Sequence, residues 1–267
     1  MKHIFSVWNG IKNGLKGKNI YLFLDCDGTL APIADTPDKA SIPDKTKEVL
    51  GRLSRLGGLR LAIISGRSLS DIRSVVGLDG IIYVGNHGLE VEGEDITSEW
   101  KIIPSYKENL ARIKTILAAE YAATPGVFIE DKGLSLCLHY RMADTDEDTI
   151  RDIFRRITGP FKEAGKIATM DGKKVIEVRP ATGWGKGKIV KWLLARERMR
   201  TGDNDIFPIY VGDDTTDEEA FKALGDNGIA VMVGNVPASS ARYYADNTDE
   251  VYQLLTMILK FKEEQNA

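Results

Sequence analysis

The chain has 267 residues, of which 43% are hydrophobic and 28% are charged. A chain of this length forms one large domain or two modest ones, and its composition excludes an intrinsically disordered protein. The formal net charge is −3 and the Lys and Arg residues are scattered, which argues against a nucleic-acid partner. No apolar run approaches the ~20 residues that span a bilayer, so we also expect no membrane partner.

The cysteines and the N-terminus favour a cytoplasmic protein, which we expect to be a monomer. Cys26 and Cys137 lie far apart in apolar runs, and reduced thiols are the simplest interpretation. Residues 1–18 are too polar, and too often interrupted by Gly and Asn, for the apolar core of a signal peptide. The helical spacing of their apolar residues predicts a short helix packed on its own domain, with a membrane-surface helix as the alternative.

Strand-like and helix-like segments alternate in the first part of the chain. Residues 20–24 are apolar on both faces, which is typical of a central parallel strand, 59–64 form a second predicted buried strand, and 81–84 form a third. The spacing of apolar residues predicts helices over 43–57 and 69–77. This order predicts an α/β fold with a doubly wound, Rossmann-like parallel sheet.

The same alternation resumes late in the chain, after a middle part with a different order. The late segments are a helix over 187–198, a strand over 208–211, a helix over 217–224, a strand over 228–233 and a helix over 250–262. The middle segments are helices over 105–122 and 146–164 and strand pairs over 127–130 with 134–139 and 167–170 with 174–178. An α-β-β-α-β-β order indicates a mixed α+β domain, inserted at 105–180 into a core domain made of residues 1–104 and 181–267.

Acidic residues follow two of the predicted parallel strands. Asp25 and Asp27 come directly after the first strand, and Asp213, Asp214 and Asp217 follow a late one. Ligand sites of doubly wound folds lie at the carboxyl ends of the strands, so we expect these acids to meet there. Close carboxylates repel one another, and a divalent cation such as Mg²⁺ resolves that repulsion. The alternative is an exposed acidic turn after the first strand and an N-cap for the late helix.

Further residues at these strand ends suit a phosphate ester. Gly28 and Thr29 allow a sharp turn, and Ser65 and Gly66 follow the second strand, so amides and a hydroxyl can meet a phosphoryl oxygen. Lys186 lies between two glycines ahead of a helix, where it can neutralise a carboxylate or a phosphate. The nearby Lys188 competes for this role, and a surface position is the alternative for either lysine.

In this order, the acidic and phosphate-binding motifs resemble those of the haloacid dehalogenase superfamily of phosphatases, in which some members carry an inserted cap domain. A narrower resemblance, to the trehalose-6-phosphate phosphatase family, covers most of residues 20–221. Its runs are DCDGTLAPI (25–33), ISGRS (64–68), GNHGLE (85–90), EDKGLSLCLHYR (130–141), VIEVRP (175–180), GKG (185–187) and YVGDDTTDEEAF (210–221). The resemblance implies hydrolysis of trehalose 6-phosphate, with the inserted domain as the cap that selects the substrate. Cys26 differs from the family's pattern, which often has an aromatic or other residue between the two acids. We expect the Cys26 side chain to point away from the site.

The family's roles carry over to matching residues of this chain. The resemblance implies that Asp25 is the nucleophile that forms an aspartyl-phosphate, and that Asp27 acts first as general acid and then as general base. It implies Mg²⁺ as the cofactor, bound by Asp25, the backbone carbonyl of Asp27, and Asp213. The residues implied to hold the phosphate are Lys186, Gly28, Thr29, Ser65, Gly66 and Arg67. Asp214 and Asp217 are implied to orient Lys186 and the waters on the metal.

The cap is implied to bind the sugar. The residues that match the family's disaccharide contacts are Glu130, Lys132, Arg141 and Glu177, with Arg67, Arg179 and His87 as further candidates. Charged groups suit sugar hydroxyls, although a surface ion pair, or a structural role for the histidine, is the alternative for each residue alone. Two other functions stay open: a phosphatase of sucrose or mannosyl-glycerate phosphates, and a sugar-phosphate-binding domain that has lost catalysis. The presence of Asp25, Asp27, Lys186 and Asp213 argues against the last of these.

Overall fold

The predicted alternation of strands and helices is present in a computed structural model that describes residues 1–34, 39–99, 104–234 and 238–266. In chain order, the strands are β1 (Lys2–His3), β2 (Ile20–Leu24), β3 (Leu59–Ile64), β4 (Ile82–Gly85), β5 (Glu90–Gly93), β6 (Ile96–Glu99), β7 (Phe128–Asp131), β8 (Leu136–His139), β9 (Ala168–Gly172), β10 (Val175–Arg179), β11 (Phe207–Gly212), β12 (Ile229–Val233) and β13 (Tyr243–Ala245). The helices are α1 (Ile4–Gly14), α2 (Asp44–Leu53), α3 (Leu69–Val76), α4 (Pro104–Glu120), α5 (Glu147–Glu163), α6 (Lys186–Thr201), α7 (Glu218–Leu224) and α8 (Thr248–Asn266).

Two compact units divide the chain. The larger unit comprises Met1–Ser98 and Trp184–Ala267, and the smaller unit comprises Glu99–Gly183. The predicted inserted domain, residues 105–180, lies inside the range of the smaller unit. Among the residues whose structure is described, no helix combines the length and the apolar character that crossing a membrane requires.

A largely parallel sheet forms the centre of the larger unit. Within the described residues, its strand order is β1-β13-β12-β11-β2-β3-β4-β5-β6. Neighbouring strands pair in parallel from β1 to β4 along this order, and β5 then pairs antiparallel with β4. β2 lies at the centre because all five of its residues are apolar and buried, so neither of its faces can meet water.

Helices cover both faces of β2. On one face Leu22 and Leu24 belong to a core cluster that also contains Leu50 of α2 and Ile258 of α8. On the other face the ring of Phe23 stacks with Tyr210 of β11, and the Tyr210 ring meets Phe221 of α7 edge to face. Helices on two faces of a parallel sheet define the doubly wound class, which confirms the predicted α/β fold.

The short strands at both edges of this sheet are absent from the prediction. β1 and β13 contain two and three residues, and β5 carries polar side chains on alternate positions. Segments of two to four residues are too short for a reliable periodicity, so only their backbone pairing to neighbouring strands identifies them. The predicted N-terminal helix is present as α1, and its Ile4 and Trp8 side chains are buried in the core of the larger unit.

The smaller unit packs two helices on one face of a separate antiparallel sheet with strand order β7-β8-β10-β9. Its apolar core joins Ile113 of α4 and Phe154 of α5 to Leu138 and Ile176 of the sheet. Side chains alternate between the two faces of a strand, so the neighbours of these apolar residues point to the opposite face. That opposite face carries Glu130, Cys137 and Glu177, which are direct partners across β7, β8 and β10. We call it the polar face.

Candidate functional site

Three neighbouring strands bring the predicted residues of the larger unit to one edge of the sheet. Asp25 follows β2, Ser65 follows β3 and Asp213 follows β11, and β2 lies between the other two strands. The parallel ladder extends past the strand ends, since the Asp25 amide donates to the Val211 carbonyl at 2.9 Å and the Ser65 amide donates to the Val84 carbonyl at 2.9 Å. The parallel order therefore places these side chains at the carboxyl edge, as the sequence predicts.

A buried lysine links two of the acids. The Lys186 ammonium donates to Asp25 Oδ1 and to Asp217 Oδ1, each at 2.7 Å, and all three side chains are buried. Asp217 also accepts from the Tyr210 hydroxyl at 2.7 Å and from the Asp214 amide at 2.9 Å. Lys188 is exposed, so the structure identifies Lys186 as the lysine of this cluster.

Burial and like charges dominate the electrostatics here. Burial raises the pKa of Asp25 well above its usual value, the Lys186 charge opposes this, and the charges of Asp217 and Asp213 add to it. Burial by itself would lower the pKa of Lys186, but Asp217 and Asp25 outweigh it and raise the pKa. Among the described residues, the buried carboxylates of Asp25, Asp213 and Asp217 thus lie close together with the Lys186 ammonium bound to two of them, and the cluster favours a further positive charge.

The donor atoms of this cluster fit a divalent cation. One oxygen each from Asp25, Asp213 and Asp217 lie within 4.8 Å of one another. Asp217 already accepts three hydrogen bonds, so Asp25 and Asp213 are the carboxylates better suited to a metal. Gly28 permits the close approach of this loop to Asp213, because a Cβ on Gly28 would lie 2.3 Å from Asp213 Oδ2. Hard carboxylate oxygens are the ligands that Mg²⁺ prefers.

The loop after β2 uses its own amides. The Gly28 amide donates to the Ala31 carbonyl at 2.7 Å, and the Thr29 amide donates to the Cys26 carbonyl at 3.3 Å. These two amides therefore close the turn, whereas the sequence predicted that they face an anion. The Thr29 hydroxyl is buried and makes no hydrogen bond to any of the residues that the structure describes. Cys26 is buried in the core cluster, so its thiol points away from the acids as expected.

Arg67 contacts an acid of this site. Its Nε and one terminal nitrogen donate to the two oxygens of Asp27, each at 2.8 Å, and its other terminal nitrogen donates to Asp71 at 2.7 Å. The Arg67 side chain is 6% exposed, whereas that of Asp27 is 40% exposed. This fork fixes the orientation of the Asp27 carboxylate. A contact of Arg67 with the phosphate or the sugar stays a prediction.

Ser65, Gly66 and His87 lie together beside this fork. The Ser65 hydroxyl oxygen accepts the Arg67 amide at 3.1 Å, which leaves its proton available for donation. The His87 ring packs on Gly66, where an added Cβ would lie 2.6 Å from His87 Nε2. His87 has φ 54°, in the left-handed region that non-glycine residues rarely adopt. The structure therefore places His87 in the larger unit, next to the predicted phosphate-binding residues.

The polar face of the smaller unit brings together three predicted sugar contacts. Glu130 and Glu177 are neighbours of Cys137 in the register, and the Lys132 ammonium lies 3.8 Å from Glu130 Oε2. Burial would lower the pKa of Lys132, but Cys137, Glu177 and Glu130 outweigh it and raise the pKa, so the ammonium stays charged. A charged amine and two carboxylates can donate to and accept from sugar hydroxyls.

The two arginines predicted for the same role lie at the margin of this cluster. The Arg141 guanidinium donates to the Lys173 carbonyl at 3.2 Å and its residue is exposed. Arg179 ends β10, two residues after Glu177 and hence on the same face, and is partly buried. The structure therefore assigns a close cluster to Glu130, Lys132 and Glu177, and contacts of the two arginines with the sugar stay predictions.

Several residues of these two clusters were not predicted from the sequence. They are Tyr210, Asp71, Cys137 and His139. Tyr210 could have been predicted from its place in an apolar strand, because a buried phenol needs a hydrogen-bond partner. Asp71 could also have been predicted from the sequence, since it lies four residues after Arg67 at the start of a predicted helix. Cys137 and His139 depend on the register of β7 and β8, which carries no local signal.

Known proteins show the same combination of fold and sequence. The family model described as trehalose-phosphatase matches residues 23–252. Probable trehalose-phosphate phosphatase H of Arabidopsis thaliana is 33% identical over 264 residues, which cover 93% of this chain and 74% of that protein. Trehalose-phosphate phosphatase B of the same organism is 32% identical over 270 residues, with coverages of 96% and 71%. The solved C-terminal domain of C. albicans trehalose-6-phosphate phosphatase superposes with a TM-score of 0.80 at 26% identity, covering 94% of this chain and 96% of that one.

Proposed function

This chain belongs to the trehalose-phosphatase family, and we propose that it hydrolyses trehalose 6-phosphate through a phosphoryl intermediate on Asp25, with Mg²⁺ as cofactor. The products are trehalose and phosphate. The observation that most supports the mechanism is the buried contact of 2.7 Å between the Lys186 ammonium and Asp25, in a cluster that also contains Asp213. Desolvated carboxylates that are held by an ammonium among other acids cluster at functional sites.

Asp25, Asp213 and the backbone carbonyl of Asp27 are the proposed ligands of the cation. A bound Mg²⁺ supplies positive charge that reduces the repulsion between the anionic carboxylate and a dianionic phosphate ester. Asp217 keeps Lys186 in place, because it accepts from the ammonium, from Tyr210 and from the Asp214 amide at once. Its role is therefore to orient the lysine and the surroundings of the metal.

Hydrolysis proceeds in two displacements. An oxygen of Asp25 attacks phosphorus, the bond from phosphorus to the sugar oxygen breaks, and Asp27 gives its proton to that oxygen. Water then attacks phosphorus, Asp27 takes a proton from the water, and the bond between Asp25 and phosphorus breaks. Asp27 needs to alternate between two protonation states, and its partly exposed side chain gives it access to water and to the leaving group.

Arg67 controls the geometry of this proton transfer. Both oxygens of Asp27 accept from the guanidinium, which fixes the plane of the carboxylate and leaves the second lone pair of each oxygen for the proton that goes to the sugar oxygen. Asp71 retains the guanidinium through its own bond while this happens. Lys186, the Ser65 hydroxyl and the buried Thr29 hydroxyl are the proposed donors to the phosphoryl oxygens as charge develops.

The smaller unit supplies the proposed contacts to the sugar. Glu130, Lys132 and Glu177 offer charge-assisted hydrogen bonds to hydroxyl groups, which are stronger than bonds between neutral partners. Arg141, Arg179 and His87 remain proposed as additional contacts. A role for His87 near the phosphate is favoured by its packing on Gly66.

The test is phosphate release from a panel of sugar phosphates in the presence of Mg²⁺. We expect kcat/KM for trehalose 6-phosphate to exceed that for sucrose 6-phosphate, mannosyl-glycerate phosphate and glucose 6-phosphate. A higher value for one of the other esters would retain the phosphatase and replace the substrate. Binding of a sugar phosphate without any release would identify a domain that has lost catalysis.

Replacement of a proposed sugar contact should separate sugar recognition from phosphate chemistry. We expect Lys132→Ala to lower kcat/KM for trehalose 6-phosphate by about one to two decades, since a lost hydrogen bond to a charged group costs ~1.5–3 kcal/mol. Glu130→Ala should act in the same direction. The measured quantity is the ratio of kcat/KM for trehalose 6-phosphate to that for p-nitrophenyl phosphate, which carries no sugar.

Lys166→Ala is the matched control, because Lys166 is an exposed lysine of the same unit. It should leave the ratio at the wild-type value. Equal losses on both substrates in Lys132→Ala would mean that Lys132 acts on the phosphate or on folding. An unchanged ratio would remove the polar face from sugar binding.

A further inference from the structure

An exposed aromatic ring stands on the polar face of the smaller unit. Phe128, the first residue of β7, is 42% exposed, and the structure describes few other large apolar side chains with so much exposed surface. Its ring lies flat on the His139 ring, with centroids 4.5 Å apart and planes inclined by 7°. The two residues are direct partners across β7 and β8, so the sheet register holds one ring against the other.

His139 connects this ring to the charged cluster. Its Nε2 lies 2.8 Å from Glu130 Oε2, within hydrogen-bonding distance. Phe128 and Glu130 are two residues apart on β7 and therefore point to the same face. A single imidazole thus fixes both the plane of an exposed aromatic ring and the position of an adjacent carboxylate.

An aromatic face next to hydrogen-bonding groups matches the chemistry of a pyranose ring. Such a ring has hydroxyl groups around its rim, which suit Glu130 and Lys132, and faces of C–H groups, which suit the negative face of an aromatic ring. An exposed phenyl ring also keeps apolar area in water until a ligand covers it. Binding sites commonly combine an apolar wall with a few placed polar groups.

We infer that Phe128 is a specificity-determining residue that stacks on a sugar ring of the substrate, and that His139 is a positioning residue that holds Phe128 and Glu130 for it. This inference rests on the proposed hydrolysis of trehalose 6-phosphate. It adds an apolar contact, Phe128, and the histidine that holds it, to the charged groups already proposed to bind the sugar. The stacked pair acts on binding of the sugar and not on the phosphoryl transfer itself.

The first test compares variants of Phe128 in steady-state kinetics with trehalose 6-phosphate. We expect Phe128→Ala to raise KM by about 3- to 10-fold with little change in kcat, the scale of an aromatic stacking contact. Phe128→Trp and Phe128→Tyr should restore KM toward the wild-type value, because both keep a flat ring. Ile116→Ala is the control, since Ile116 is an apolar side chain of α4 in the same unit that is 39% exposed.

The second test divides the two contacts of His139. His139→Phe keeps a ring under Phe128 and loses the bond to Glu130, whereas His139→Asn keeps a donor for Glu130 and loses the ring. We expect each variant to raise KM, and the combination of His139→Asn with Phe128→Ala to raise it little beyond Phe128→Ala, because both remove the same stack. Thermal unfolding shows which variants keep the fold. If a His139 variant does not fold, the inference is decided by the KM values of the Phe128 variants.

Two outcomes distinguish the inference from the function on which it rests. Wild-type enzyme that prefers trehalose 6-phosphate, together with Phe128→Ala at the wild-type KM, would overturn the stacking role alone. Wild-type enzyme without a preference for trehalose 6-phosphate over glucose 6-phosphate would overturn the proposed function first. An equal increase of KM in Phe128→Ala and Phe128→Trp would also contradict stacking, because the Trp variant keeps an aromatic face and should therefore bind the sugar better than the Ala variant.

Discussion

Asp25→Asn is expected to abolish detectable hydrolysis of trehalose 6-phosphate. An amide is a poor nucleophile, so the first displacement loses its attacking group and no phosphoryl intermediate can form. The substitution also removes one charge from a cluster in which burial, Asp217 and Asp213 raise the pKa of Asp25. We therefore expect the variant to fold at least as stably as the wild type, so the loss of activity cannot be attributed to unfolding.

Asp205→Asn provides the matched control for this loss. Asp205 is an exposed acid of the larger unit that pairs with Lys18, so the same chemical change there should leave turnover at the wild-type level. Mass spectrometry of the Asp25→Asn protein must exclude deamidation back to Asp. Turnover by protein that retains the amide would exclude Asp25 as the nucleophile.

Removal of Mg²⁺ is expected to have an effect of similar size. Excess chelator should abolish phosphate release, and Mg²⁺ should restore it, because three buried carboxylates around one ammonium leave the site too negative for a phosphate ester. Binding should also be visible without turnover. At a hundredfold excess of Mg²⁺ over its Kd, the free energy of unfolding of the larger unit should rise by about 2.7 kcal/mol.

The Asp213→Asn variant separates metal binding from general effects of the ion. Without metal it should unfold at a higher temperature than the wild type, since the neutral amide relieves the repulsion with Asp25 and Asp217. It should show little stabilisation by Mg²⁺, because one ligand is weakened. Equal stabilisation of wild type and Asp213→Asn by Mg²⁺, or full wild-type activity in chelator, would argue against this cation site.

The sequence predicts the centre of the fold well because the central strands are constrained on both faces. Residues 20–24 are all apolar and residues 61–64 are apolar and buried, and the strands observed at 20–24 and 59–64 have the predicted bounds. The acids at the strand ends follow from this, since parallel strands end at a common edge. The edge strands β1, β5 and β13 escape prediction, because they are two to four residues long and only their backbone pairing to neighbouring strands defines them.

Side-chain contacts between distant residues are the part that the sequence does not reveal. Arg67 and Asp27 are 40 residues apart in the chain, and nothing local to either predicts a fork with both oxygens of the carboxylate. The stack of Phe128 on His139 likewise depends on the register of β7 and β8. A shift of β7 by one residue against β8 would move the Phe128 ring to the apolar face and away from His139, so the pattern of faces becomes informative only once the pairing is known.

The central claim is that Asp25 takes the phosphoryl group from trehalose 6-phosphate, and the most direct test is to trap that group. Asp27→Asn removes both the proton donor of the first displacement and the proton acceptor of the second, and it traps the phosphoryl group when the second displacement is slowed more than the first. The variant is incubated with Mg²⁺ and trehalose 6-phosphate, quenched in acid, digested and examined by mass spectrometry. We predict one added phosphoryl group on the peptide that contains Asp25, located on Asp25, and its absence when Asp25→Asn is combined with Asp27→Asn. A phosphoryl group on another residue, or phosphate release by Asp27→Asn with none on Asp25 at any time, would contradict the account.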